Sequence, residues 1–459
     1  MAPDSSATVS PYDPRTHSLL SFHDRLAAFK DGSDTPRAYL ERCLAVIDAL
    51  EGEITAFAAL NIEGARAAAD ASTGRYREGR AISPVDGMPF GVKDLYETVD
   101  MPTQMNSPKY NGWQGNRDSA HVFAMREGGA VILGKTTTTE FGAGAPPPTR
   151  NPFNTLKTAG GSSSGSSAAV GAGMLPAASG SQVRGSIVRP AGYCANYALK
   201  PSYGALNRGG AHALAPSQSV LGIHAGTLED CWRTAFYISN TAGGDPGTAG
   251  LMGAPTLDRA RKPIRVIRLE TAGWPGTTDA TKAAFEDYLR TLSDQGVEIV
   301  DRSSDSGIEA LEQALTRIPE LLPGLLGFEA KWPMADYETS SPGVLGEKMQ
   351  RMLKSGREVS IEQYRELLNI RADIRASQEA LRGSADAFVL LCSQDPPPDY
   401  PEIGDTVYGD VSSTLGAPAF VLPVLAVEGL PVGIQLMGWP GDDFILTGLS
   451  RWLMDAFRA

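Results

Sequence analysis

Three side chains of this sequence could pass a proton among themselves, one amine and two alcohols. Lys93 stands in PFGVKDLYE, Ser162 in TAGGSSSGSSAAVGAG and Ser186 in QVRGSIVRPAGYC. A serine on a glycine-rich turn can offer its hydroxyl and nearby backbone N–H groups to one substrate atom. Serine is a weak nucleophile until a base takes its proton. Lysine can be that base only when neutral, a form that burial favours. A second serine between them would relay the proton, toward the lysine during attack and toward a leaving amine afterwards.

Composition alone reads GGSSSGSS as a flexible linker and Lys93 as a surface charge. The neighbouring residues argue otherwise. The Ser/Gly stretch runs into AAVGAGMLPAA, which is small and apolar rather than solvated. A second turn, Gly185-Ser186, then precedes another apolar segment.

Thr35-Pro36 is a helix-start signal. Leu40, Cys43, Leu44, Ile47 and Leu50 follow at helical spacing and predict a buried face. A short apolar strand leads to Lys93, and Ala130 to Leu133 form another. PIRVIRLE, ATKAAFEDYLRTLSDQG and VEIVD read as strand, amphipathic helix and strand, a βαβ unit. DAFVLL is a buried strand, and APAFVLPVLAVEGLPVGIQLMG reads as two strands joined at Glu428-Gly429. Residues 308–382 are mostly helical. The expected architecture is one α/β domain over residues 31–459, with a central mixed, largely parallel β-sheet flanked by helices. A helical cap falls in a variable segment of about 250–385, and residues 1–30 read as a mobile tail.

The 459 residues carry a net charge of −12 and no basic block, which disfavours nucleic acid and anionic membranes as partners. The N-terminus lacks a signal peptide's basic and apolar regions, and no run reaches the roughly 18–20 apolar residues of a membrane helix. The four cysteines form no C-x-x-C and read as buried reduced thiols, which fits a cytoplasmic location. The five histidines show no metal-ligand spacing, so neither metal nor cofactor is expected. The expected partner is a small-molecule substrate, and the expected assembly a monomer or homodimer.

GGSSSGSSAAVGAG, RGSIVRPAGYCANYALKPSYG, PFGVKD, GKTTTTEFG and GLPVGIQLMG together resemble the amidase signature family, over roughly residues 35–240 and 385–455. The resemblance implies hydrolysis of C–N bonds next to a carbonyl by a Ser–cis-Ser–Lys triad. It makes Lys93 the base, Ser162 the bridging serine and Ser186 the nucleophile. It places the oxyanion hole at the backbone N–H groups of Val183, Arg184, Gly185 and Ser186, and a cis peptide bond at Ser162–Ser163. Ser163 is expected to serve the turn, and Asp94 to brace the lysine or its loop unless it is simply solvated. Thr139 and Glu140 read as strand-end structural residues, and Cys194 as packed core.

The chain also departs from the family. Gln182-Val183-Arg184-Gly185-Ser186 stands where the family reads D-[TI]-G-G-S, removing a carboxylate that could brace the loop. A positive φ at Arg184 would be strained. The family's S-L-D-x-x-G-P becomes Ser217-Gln218-Ser219-Val220-Leu221-Gly222-Ile223, which puts a standard substrate pocket in doubt. Segment 305–382 and the Arg208-Gly209-Gly210 loop are the candidates for shaping an apolar pocket, with Leu325, Leu326, Phe328, Trp332 and Met334 as possible lining. Amides, aryl acylamides and carbamates (a urethanase activity) are the expected substrates. Two other readings stand beside this one: the amidase-type subunit of a tRNA-dependent amidotransferase, with a protein partner and an ammonia channel, and a catalytically inactive binding protein.

Overall fold

A computed structural model describes residues 11–212 and 214–458. An eleven-stranded sheet runs through it. Its strands are β1 (Phe57–Leu60), β2 (Pro89–Lys93), β3 (Val131–Thr136), β4 (Ala177–Gln182), β5 (Tyr197–Lys200), β6 (Val220–Ala225), β7 (Arg265–Arg268), β8 (Glu298–Val300), β9 (Ala387–Leu391), β10 (Ala419–Val427) and β11 (Leu430–Met437). The spatial order is β1-β3-β2-β4-β6-β5-β10-β11-β9-β7-β8. The sheet is mixed, as expected. Parallel pairing lies in two blocks, β3-β2-β4 and β9-β7-β8, with antiparallel pairs between them. The predicted βαβ unit is β7, the helix Asp279–Asp294 and β8. The predicted hairpin is β10–β11, with Glu428 and Gly429 both at positive φ, as a two-residue type I′ turn requires.

The helices that matter for the site are α1 (Pro36–Ile54), α2 (Ser164–Gly171), α3 (Val188–Tyr193), α4 (Ile318–Ser340), α5 (Glu347–Glu358), α6 (Ile361–Glu379) and α7 (Val407–Leu415). Thr35 caps α1 by accepting the N–H of Ala38, and Leu40, Cys43, Leu44 and Ile47 are buried. Helices α4, α5 and α6 form the expected helical segment. Among the described residues no helix is long and apolar enough to cross a membrane.

Two expectations change. Residues 1–10 of the predicted tail lie outside the described residues, but residues 11–30 belong to the packed body. Tyr12 donates its hydroxyl to Pro423 O at 2.6 Å, Phe22 is fully buried, and the N–H of His23 donates to Asp230. Aromatic burial outweighs the polar composition that suggested a tail. The linker reading of GGSSSGSS also fails, because all eight residues of α2 are buried. Its residues are small because backbone lies against them: a Cβ on Gly165 would overlap Ala56 O and Thr137 N, and one on Gly171 would overlap Cys194 O. Its hydroxyls find buried carbonyls, Ser166 donating to Ser179 O at 2.7 Å and Ser167 to Pro190 O at 2.6 Å.

Gly165→Ala is therefore expected to destabilise the fold by about 1–3 kcal/mol through overpacking. Equilibrium chemical denaturation measures this, and an unchanged midpoint would contradict close packing at α2.

Candidate active site

Lys93 ends β2, between β3 and β4, and its side chain is fully buried. Strand β4 supplies two serines at i and i+2, which share one face of a strand. Ser179 Oγ accepts the backbone N–H of Lys93 at 3.0 Å, and Ser181 Oγ lies 2.8 Å from Nζ. From the turn before α2, Ser162 Oγ lies 2.7 Å from Nζ and Ser163 Oγ 2.9 Å. Three hydroxyls thus surround the amine. Burial pushes the Lys93 pKa well below its ordinary 10.5, and among the described residues no carboxylate offsets the loss of hydration. A neutral amine has two N–H donors and one lone pair, so it can accept a proton from one of these hydroxyls while donating to the others.

Ser186 lies in the turn between β4 and α3 and lines the same cavity as Ser162. The carbonyls of this turn are tied outward. Val183 O accepts Gln218 Nε2 at 2.8 Å, Arg184 O accepts Ser413 Oγ at 2.6 Å, and Gly185 O accepts the N–H of Arg189 at 3.0 Å. Among the described residues no acceptor meets the N–H groups of Val183, Arg184, Gly185 or Ser186. Four backbone donors of the turn that carries Ser186 are therefore without a partner among the described residues.

The departures from the family pattern have physical explanations here. Gln182 supplies the brace that the missing carboxylate would have given: its Oε1 accepts the N–H of Ile187 at 2.7 Å and of Val188 at 3.0 Å, and its Nε2 reaches Ser413 Oγ at 2.9 Å. Arg184 is not at positive φ. Its guanidinium forks onto Asp410 of α7, Nε to Oδ1 at 2.8 Å and Nη2 to Oδ2 at 2.5 Å. The altered Ser217-Gln218 pair joins the helical segment to the loop. Glu329 of α4 accepts the N–H of Ser217 at 2.9 Å, Arg371 of α6 donates to its hydroxyl at 2.9 Å, and Gln218 holds Val183 O.

Of the other expectations, some are corrected and some are kept. The cis peptide bond is Gly161–Ser162, one bond earlier than Ser162–Ser163. Ser163 does more than serve the turn, since its hydroxyl contacts Lys93 and accepts the N–H of Ser181 at 3.2 Å. Asp94 is neither solvated nor paired with Lys93. It is buried against Lys135, 2.9 Å away, and accepts the N–H groups of Gln104 and Met105, so it braces the following loop. Glu140 is structural, accepting the N–H of Gly346 at the start of α5 at 2.8 Å. Cys194 is fully buried. Sequence reasoning missed Ser181, Lys135 and Asp410. Only the serine left a signal, its i, i+2 spacing from Ser179.

A cavity of about 330 Å³ opens over Ser162 and Ser186. Leu322, Pro323 and Leu326 of α4 and Lys348, Arg351 and Met352 of α5 form its outer wall. Of the predicted lining residues only Leu326 takes part. Leu325 and Met334 are fully buried in the core, Phe328 stacks on Tyr364 at 4.2 Å, and Trp332 is 70% exposed. A helix facing a core on one side can give only part of its apolar residues to a cavity. The Arg208-Gly209-Gly210 loop packs elsewhere: Arg208 pairs with Asp245 at 2.6 Å, and the carbonyls of Gly209 and Gly210 accept the N–H groups of Ala120 and Glu97. Among the described residues no group of His, Cys, Asp and Glu could hold a metal ion.

The family model described as Amidase matches residues 38–446. This chain belongs to the amidase signature family. As a member, it is 31% identical to a glutamyl-tRNA(Gln) amidotransferase subunit from Chloroflexus aggregans, over 92% of this chain and 93% of that one. Among solved structures, this amidase signature chain is similar to a protein described simply as an amidase, with 27% identity and a TM-score of 0.82, covering 95% of this chain and 99% of that one. A second, solved in a study of the origins of an s-triazine catabolic enzyme, shares 25% identity with a TM-score of 0.83, covering 95% and 98%.

Arg184→Gly is expected to cost about 1–3 kcal/mol, because it strips the fork from a buried carboxylate and leaves Asp410 only the Thr406 hydroxyl. Thermal or chemical denaturation checks this, and a stability equal to the parent's would contradict it.

Proposed function

We propose that this chain hydrolyses the C–N bond of small-molecule amides through an acyl-enzyme on Ser186. The observation that carries the reading is the buried Lys93 amine 2.7 Å from Ser162 Oγ, in the wall of the cavity that Ser186 also lines. Neutral Lys93 takes the Ser162 proton as Ser162 takes that of Ser186, and Ser186 Oγ attacks the substrate carbonyl carbon. The free N–H groups of the 183–186 turn receive the developing oxyanion; one such donor is worth about 2.7–4 kcal/mol. Protonation of the amide nitrogen by the reverse route breaks the C–N bond and releases the amine. Water then attacks the acyl carbon through the same relay and frees the acid and Ser186. Aryl acylamides and carbamates fit the same steps. A carbamate would leave an alkoxycarbonyl group on Ser186, released by water as a carbonic monoester that decomposes to carbon dioxide and an alcohol.

The similarity to amidotransferase subunits supports a second reading, in which the same half-reaction frees ammonia from glutamine for a protein partner. Both readings share the chemistry at Ser186 and differ in what receives the nitrogen. Apolar walls and the altered Ser217-Gln218 segment support a stand-alone enzyme. A glutaminase assay and gel filtration with the cognate partner proteins separate the two: glutamine turnover together with co-elution would favour the amidotransferase reading.

Ser186→Ala is expected to lower kcat by at least about 10⁴-fold while shifting stability by under about 1 kcal/mol. Steady-state kinetics and labelling by a fluorophosphonate probe check it; normal turnover in that variant would end the assignment of Ser186 as nucleophile, whereas a parent protein that neither turns over nor labels would favour an inactive binding protein. The relay also sets the sign of the pH dependence. The active form of Lys93 is neutral and its pKa is lowered, so kcat/KM should be sustained well below pH 10.5 and fall on the acid side as the amine protonates. Lys93→Arg, which cannot deprotonate, should lose about 10²–10⁴-fold across the range. A parent-like profile in that variant would rule out the lysine base.

A further inference from the structure

The cavity over Ser186 has a charge pattern opposite to that of the chain. The sequence carries a net −12, yet Arg184, Arg189, Lys348 and Arg351 line the cavity and, among the described residues, no aspartate or glutamate does. Two of these cations are already engaged. Arg184 is forked onto Asp410 behind the wall. Arg189 is buried and donates to the carbonyls of Gly161, Gly404 and Asp405. The two on α5 are available. Lys348 has no hydrogen-bond or ion-pair partner among the described residues, and Arg351 meets only Glu347, one turn back at 3.4 Å, with both side chains largely exposed. An exposed pair of that kind is weak and easily exchanged for another anion. Between this cationic rim and the serines the walls are apolar, from Leu214, Leu322, Leu326, Met352 and Ile403.

We infer that the preferred substrates are amides whose apolar body carries a carboxylate, which Lys348 and Arg351 bind at the cavity rim while the amide carbonyl sits over Ser186. This rests on the hydrolase reading and narrows its substrate class.

Three anilides test it: butyranilide, which is neutral, succinanilic acid, with a carboxylate on the acyl side, and 4-butyramidobenzoate, with one on the amine side. At least one anionic compound should exceed butyranilide in kcat/KM by about tenfold at low salt, as for a hydrogen bond to a charged group, with the margin shrinking as salt screens it. Which compound wins tells which side of the scissile bond faces α5. Lys348→Gln should remove most of that margin, and Lys348→Glu should reverse it. Butyranilide matching or beating both acids, or a margin that survives the Lys348→Gln, Arg351→Gln double variant, would overturn the inference. Calorimetric binding to the Ser186→Ala protein reads the inference separately from turnover. An anionic anilide binding tighter than butyranilide, and weakened about tenfold by adding Lys348→Gln, supports it; binding no tighter than butyranilide's overturns it. Absent fluorophosphonate labelling and turnover in the parent protein would instead remove the hydrolase reading.

Discussion

The structure depends on one buried amine without a counter-charge. An ammonium there would have lost its hydration with no carboxylate in return, so Lys93 is held toward its neutral form. Neutrality makes a lysine useful as a base, and it also makes the amine dependent on hydroxyl neighbours. Ser162, Ser163 and Ser181 fill that need, two from the turn before α2 and one from β4. The nearby Lys135 shows the contrasting solution. It is also fully buried, but Asp94 lies 2.9 Å away, so the pair is structural, whereas Lys93 has hydroxyls as its side-chain partners.

Holding a lysine among serines in a dry interior requires close approach of backbone, and this explains the unusual composition of residues 160–171. Glycine and serine let α2 lie against the backbone just before β1, just after β3 and at the end of α3, while the hydroxyls satisfy carbonyls that would otherwise be buried without partners. The Ser186 turn is fixed by the same logic from the other side. Gln182, Gln218 and Ser413 hold its frame, and the carbonyls point away so that the N–H groups are left free. Preorganised donors of this kind need no rearrangement when charge develops.

The helical segment completes the site and gives it a character of its own. Helices α4 and α5 wall the cavity, and Ser217-Gln218 runs from Glu329 of α4 and Arg371 of α6 to the carbonyl of Val183. A short chain of hydrogen bonds thereby joins the helical segment to the Ser186 turn. The Arg184–Asp410 fork anchors the same turn to α7. Gln182, Arg184 and Gln218, which depart from the family pattern, thus each find a partner locally.

The reacting groups were legible in the sequence because their chemistry restricts the residue types. A lysine after an apolar strand and two serines on glycine turns point to a candidate proton relay, among which the family resemblance implies base, bridge and nucleophile; the βαβ unit, the Glu428-Gly429 hairpin and the helical segment follow from periodicity and turn residues. Tertiary structure alone decided the rest. The i, i+2 spacing puts Ser181 on one strand face with Ser179 but does not say that this face meets Lys93, and nothing local says that Asp94 will choose Lys135 over Lys93. Packing placed residues 11–30 in the body, put Leu326 rather than Trp332 at the cavity, and assembled a cationic rim on an acidic chain. Sequence spacing determines what a segment can form, whereas burial, partner choice and cavity lining depend on contacts between residues far apart in the chain.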